Sequence, residues 1–143
     1  ERGVLRRGGP GELEEAGGRW VDSLKDFVRA LKPPRAIWVM IPSGKPTEEV
    51  LQELITILDP GDCLVDGGNS DYRDTQRRAK DLSAKGLALV DSGTSGGVWG
   101  LKNGYCLMIG GPKTAIDLLA PIFTTLAPPM VGFTWAIQAP DIS

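Results

Sequence analysis

Asp66-Gly67-Gly68-Asn69-Ser70 and, about one strand-helix unit later, Thr94-Ser95-Gly96-Gly97 gather the groups of this chain best suited to holding an oxygen-rich ligand. Asn69 carries an amide that both donates and accepts. Its neighbouring glycines allow positive φ and let a ligand approach the backbone. Ser95 adds a hydroxyl, and Gly96 and Gly97 add unobstructed backbone amides, the equipment that binds a carboxylate or phosphate oxygen. Each loop alone also has a plainer reading: a tight turn with Asn69 or Asp71 as helix cap, and a glycine-rich connection. Together they point to one binding crevice between adjacent strand ends.

The chain contains no histidine, so acid-base work falls to carboxylates, lysine or tyrosine, and no imidazole metal site is possible. Cys63 and Cys106 form neither a disulfide framework nor a zinc motif and read as buried, reduced thiols. Ser43-Gly44-Lys45-Pro46-Thr47 has only a superficial likeness to a phosphate loop. Val39 stands where Walker A needs its first glycine, and Pro46 replaces the hydroxyl residue after the lysine. The basic run Arg73, Arg77, Arg78 and Lys80 interleaves with Asp71, Asp74 and Asp81 and reads as a solvated face with local pairing. Trp38 fits sheet packing, and Trp99 is a candidate pocket wall.

The elements that carry these loops alternate. Leu24, Phe27, Val28 and Leu31 share a helical face behind a cap at Asp22 or Ser23. Pro33-Pro34 ends that helix, and Ala36 to Ile41 reads as a strand buried on two faces. Thr47-Glu48-Glu49 opens a second helix with Val50, Leu51, Leu54, Ile55 and Leu58 as its stripe, halted by Asp59-Pro60-Gly61. Cys63 to Val65 is the next strand. Asp71 caps a third helix reaching about Lys85, with Gly86 at its C-terminal turn. Leu87 to Val90, Tyr105 to Ile109 and Met130 to Phe133 read as further strands, and Lys113 to Thr125 as a helix containing Pro121. Such alternation implies an α/β, doubly wound, mostly parallel sheet, whose ligands lie beyond the carboxyl ends of the strands.

With 143 residues, a net charge of −2 and a pI near 5.1, the chain has the size of one domain and no general attraction for nucleic acid or anionic membranes. It has no apolar run of membrane-spanning length and no secretory signal, so a cytoplasmic setting is expected. Residues 1–19 hold neither an apolar strand nor a GxGxxG and read as mostly disordered. Residues 20–133 read as the folded unit, and 134–143 as an irregular tail.

The segments WVMIPSGKP, DGGNSDYRDTQRR and DSGTSGGVWGLKNGYCLMIGG resemble the second half of the coenzyme domain of 6-phosphogluconate dehydrogenases, with VWGLKNGYCLMIGG similar to the shorter bacterial branch. The resemblance covers about Trp20 to Phe133. It implies a partial Rossmann-like domain and oxidative decarboxylation of 6-phosphogluconate to ribulose 5-phosphate in the pentose phosphate pathway, with hydride passing to NADP or NAD. It assigns Asn69 to both coenzyme and sugar, and Ser95, Gly96 and Gly97 to the substrate. Ile41, Pro42 and Ser43 become the coenzyme-facing turn, and Asp66 shapes its own loop. The related β-hydroxyacid dehydrogenases are the alternative within the enzyme class, and a non-catalytic phosphosugar-binding or interaction module is the alternative outside it.

Three parts of the family pattern find no match: the glycine fingerprint of the first βαβ unit, the segment bearing the proton-abstracting lysine and the acid, and the large helical domain that completes the substrate site and the homo-oligomer. No catalytic residue is therefore assigned, and the expectation is a truncated, inactive form.

Overall fold

The computed structural model describes residues 3–4, 14–15 and 17–129. Its centre is a four-stranded sheet in sequence order, β3 (Ala36–Val39), β4 (Cys63–Asp66), β5 (Ala88–Ser95) and β6 (Cys106–Gly110). β1 (Gly3–Val4) and β2 (Arg19–Trp20) pair in parallel as a separate ribbon. The strand at Gly3–Val4 corrects the expectation that residues 1–19 hold none, since two residues are too few to leave a legible apolar run. Met130–Phe133 and the 134–143 tail lie outside the described residues.

Helices α1 (Leu24–Ala30), α2 (Lys45–Ile57) and α3 (Tyr72–Ser83) connect the strands in turn. Ser23 caps α1, its Oγ accepting from the Asp26 N–H at 3.1 Å. Asp71 caps α3 by accepting from the Arg73 N–H at 2.9 Å, and Gly86 takes φ +73° just beyond it. α2 begins at Lys45, two residues before its acidic opening. Proline is tolerated in a first turn, where its missing N–H has no intrahelical partner anyway.

Two core layers follow from the strand alternation. Ile37, Val39, Leu64 and Leu89 face α1, α2 and α3 through Phe27, Val28, Leu51, Leu54 and Leu82. Val65, Val90 and Cys63 face α5 (Lys113–Leu126) through Ala115, Leu119 and Phe123. Trp38 belongs to the second layer, edge-on to Phe123 with ring centroids 5.8 Å apart, as its sheet-packing assignment anticipated.

β3, β4 and β5 are parallel, with Asp66 opposite Asp91 at the carboxyl end of the β4–β5 pairing. β6 runs antiparallel to β5, pairing Ser95 with Cys106 and Asp91 with Gly110. A parallel crossover needs a dozen or more residues and usually a full helix. Residues 96–105 carry only a 3-10 turn (Gly97–Trp99) and the short α4 (Gly100–Asn103), so the chain folds back as a hairpin. The same hairpin extends β5 to Ser95, five residues past the expected end at Val90. Cys106, the first residue of β6, is exposed, whereas Cys63 is buried and its thiol is pushed up to about 11, first by burial and then by Asp62. The expectation of two buried thiols therefore holds for Cys63 alone.

Candidate functional site

At the carboxyl ends of β3 and β4, two loops are built into each other. The Gly67 N–H donates to the Val39 carbonyl at 2.9 Å. A Cβ on Gly67 would overlap Trp38 Nε1 and Met40 Sδ, and one on Gly68 would overlap the backbone oxygen of Ile41. These glycines are thus required by close approach. Neither takes the positive φ expected of it; that conformation falls on Asn69, at φ 58°, a region asparagine tolerates better than most side chains. Ile41 is half-buried, Pro42 and Ser43 are exposed, and Thr47, fully buried, donates through Oγ1 to the Pro42 carbonyl at 2.9 Å.

Beneath Asn69 lies a charged network. Asp66 is fully buried; its Oδ1 accepts from the Gly68 N–H at 3.0 Å and its Oδ2 from the Ser70 hydroxyl at 2.7 Å. Asp66 therefore shapes its turn, as expected. Arg78 departs from the solvated-face reading: it is only 3% exposed and ion-pairs with Asp66 at 3.1 Å and Glu48 at 2.9 Å. Arg77 pairs with the same Glu48 and with Asp74 and Asp81. The guanidinium of Arg77, with help from Arg78 and against the cost of burial, holds the Glu48 carboxyl at about 2. Nothing in sequence separates Arg78 from its neighbours, because its partners lie on a strand end and on another helix.

The second glycine loop sits at the same end of the sheet but farther out. β5 continues four residues beyond Asp91 with, among the described residues, only β6 beside it, about 13 Å at the usual strand rise. Ser95, Gly96 and Gly97 are all exposed there. Gly96 and Gly97 take φ 144° and 48°, and the Tyr105 ring lies against Gly96 and fills the space that a side chain at Gly100 would need. Trp99 is 67% exposed there. Lys45, the first residue of α2, is exposed and faces Glu49 one helical turn on at 3.6 Å.

A groove of about 610 Å³ opens elsewhere, between α3 and the β5–β6 pair, lined by Tyr72, Thr75, Gln76, Asp91, Gly111 and Thr114 among others. It contains none of the site residues expected from sequence. Burial, followed by the charge of Asp66, raises the Asp91 carboxyl above its ordinary value. Among the described residues, no group of three or more His, Cys, Asp or Glu is arranged to hold a metal ion, and no helix is long and apolar enough to cross a membrane.

A mostly parallel α/β sheet with polar glycine loops at the carboxyl ends of its parallel strands defines a Rossmann-like, dinucleotide-fold domain. The family described as the NAD binding domain of 6-phosphogluconate dehydrogenase matches residues 9–135, and the chain belongs to that family. A decarboxylating 6-phosphogluconate dehydrogenase of Synechococcus elongatus is 48% identical over 105 residues, 73% of this chain and 22% of that protein. Its counterpart from Chlamydia pneumoniae is 43% identical over 111 residues, 78% of this chain and 23% of that protein. The chain thus spans less than a quarter of the length of these curated relatives. The 6-phosphogluconate dehydrogenase of Plasmodium falciparum, solved in its apo form and with NADP+ or 6-phosphogluconate, superposes with a TM-score of 0.80 at 27% identity, covering 91% of this chain and 29% of that one. A 3-hydroxyisobutyrate dehydrogenase of Salmonella typhimurium shares the fold at 21% identity and a TM-score of 0.69, covering 85% of this chain and 40% of that one.

Proposed function

We propose that residues 20–133 serve as coenzyme- and substrate-binding scaffold of a cytoplasmic 6-phosphogluconate dehydrogenase. Ile41, Pro42 and Ser43 face NADP or NAD, Asn69 touches both cofactor and sugar, and Ser95, Gly96 and Gly97 hold 6-phosphogluconate near its carboxylate. The observation that carries this reading is the interlocking of Gly67-Gly68 with Trp38 and Ile41. Two loops packed that closely hold their exposed residues in a fixed relation, which is what transfer between a bound sugar and a bound cofactor requires.

The residues present fit a nicotinamide cofactor and its substrate. Asn69 is exposed, and no hydrogen bond among the described residues occupies its amide, so donor and acceptor are both free for a ligand. Backbone amides of the positive-φ glycines Gly96 and Gly97 suit a carboxylate oxygen. When bound, the nicotinamide supplies the hydride acceptor. The protein's part is to orient the sugar against it.

Proton abstraction from a sugar hydroxyl needs a base within hydrogen-bond reach, and no residue of this sequence matches the family's lysine. The isolated chain is expected to bind without turning over. Calorimetric titration of the purified chain with NADP+, NAD+ and 6-phosphogluconate tests the first half, and absence of any saturable heat would overturn it. Mixing all components and following absorbance of the reduced cofactor tests the second, which a signal growing in proportion to protein would refute.

A further inference from the structure

We propose that Arg78 is a positioning residue for the substrate loop: its buried guanidinium, bonded at once to Asp66, Ser70 and Glu48, fixes how Asn69 is presented. The inference rests on the proposed function, since that reading is what gives Asn69 a ligand.

Arg78 Nη1 donates to Asp66 Oδ2 at 3.1 Å and to Ser70 Oγ at 3.0 Å, while Nε donates to Glu48 Oε2 at 2.9 Å. Asp66 in turn ties the Gly68 N–H and the Ser70 hydroxyl. Asn69 is thus the single untied residue between two tied ones, set at φ 58°. Its side chain projects from a frame that Asp66 grips and Arg78 grips in turn. Glu48 sits in the first turn of α2, next to Thr47, which holds the Pro42 carbonyl. One guanidinium therefore links the loop assigned to the sugar with the loop assigned to the cofactor.

Charge and shape both matter here. Asp66 is fully buried, and a buried carboxylate stripped of its counter-charge is costly. A lysine would restore charge but not the planar fork that reaches three partners from fixed directions. Arg78→Lys separates charge balance from positioning, and Arg78→Met removes both. Arg73→Ala is the control on the same helix, because the Arg73 side chain is outside the network.

The test combines two readouts: backbone amide hydrogen exchange at Gly68 against Leu64 and Val90, and calorimetric affinity for 6-phosphogluconate. In Arg78→Lys, Gly68 should exchange on the order of tenfold faster and affinity should fall on the order of tenfold, with Leu64 and Val90 unchanged. Arg73→Ala should match the parent in both. Unchanged Gly68 exchange and affinity in Arg78→Lys would overturn the inference. So would faster exchange spread evenly over Gly68, Leu64 and Val90, or failure of both Arg78 variants to fold, because either result makes the arginine only structural. If the parent itself binds no 6-phosphogluconate, the proposed function falls and takes the substrate half of the inference with it; binding by the parent that Arg78→Lys leaves intact sinks the inference alone.

Discussion

Gly68 lies so close to Ile41 that a single methyl group on it would overlap that residue's carbonyl oxygen. The contact is backbone on backbone, joining the loop after β4 to the loop after β3, so neither side can relieve a clash by changing a rotamer. Through this one approach the turn bearing Asn69 takes its position from the turn bearing Pro42 and Ser43.

Gly68→Ala is therefore expected to destabilise the fold by about 1–3 kcal/mol, the usual range for forcing volume into a packed site. Gly67→Ala meets the exposed Met40 side chain, which can swing away, and the Trp38 ring, which is held against Phe123 and cannot, so it should destabilise the fold as well. Thermal melts of the two variants check both costs, and a parent-like melting temperature for Gly68→Ala would contradict the backbone contact.

Asn69→Gly and Asn69→Ala separate conformation from chemistry. At φ 58° alanine carries a left-handed penalty of roughly 1–2 kcal/mol that glycine does not. The glycine variant should keep the parent's melting temperature and still lose affinity for 6-phosphogluconate on the order of tenfold, since the amide is gone. Ser95→Ala, at an exposed strand end, should likewise weaken binding without changing stability. Calorimetry giving parent-like affinity in all three variants would remove both residues from the substrate site.

The Glu48 carboxyl supplies a pH dependence of definite sign. Its folded value is about 2, depressed from 4.5 chiefly by the Arg77 guanidinium. A depressed acid adds stability in full above its unfolded value and loses it as pH falls towards the folded one. Glu48→Gln should therefore lower the melting temperature at pH 7, and the gap to the parent should close between about pH 5 and pH 2. A gap that stayed constant over that window would show that the ion pairs do not contribute.

Asp91 behaves oppositely. Burial, then Asp66, raises its carboxyl above the ordinary value of 3.8, so its charge costs stability, a cost that sets in as the pH rises through the unfolded value and is complete above the folded one. Asp91→Asn should raise the melting temperature at pH 7, with the gain vanishing below about pH 4. A loss at pH 7 would mean that the carboxylate has a partner of its own in the groove beside α3.

Much of the scaffold was legible because period and punctuation are local. Phe27 and Val28 on one face of α1, Ser23 and Asp71 at caps, and Gly86 at a positive φ all follow from spacing and residue type. The reversal of β6 was not, although the short stretch between Ser95 and Cys106 was its available signal: direction is set by whether a crossover fits. The DGGNS loop was recognised, but the reason for its glycines was misplaced. The demand comes from Trp38 and Ile41, far off in sequence, and the strained φ belongs to Asn69.

By itself, the sequence determined the alternation of strands and helices, the family and the two loops, since hydrophobic period, turn chemistry and motif wording all lie along the chain. Only the tertiary structure decided which groups hold those loops. Arg78 reads like Arg73 and Arg77 in sequence, yet it alone of the three is buried, between Asp66 and Glu48. An ion's partners and its access to water depend on which elements pack together, and that is settled in space.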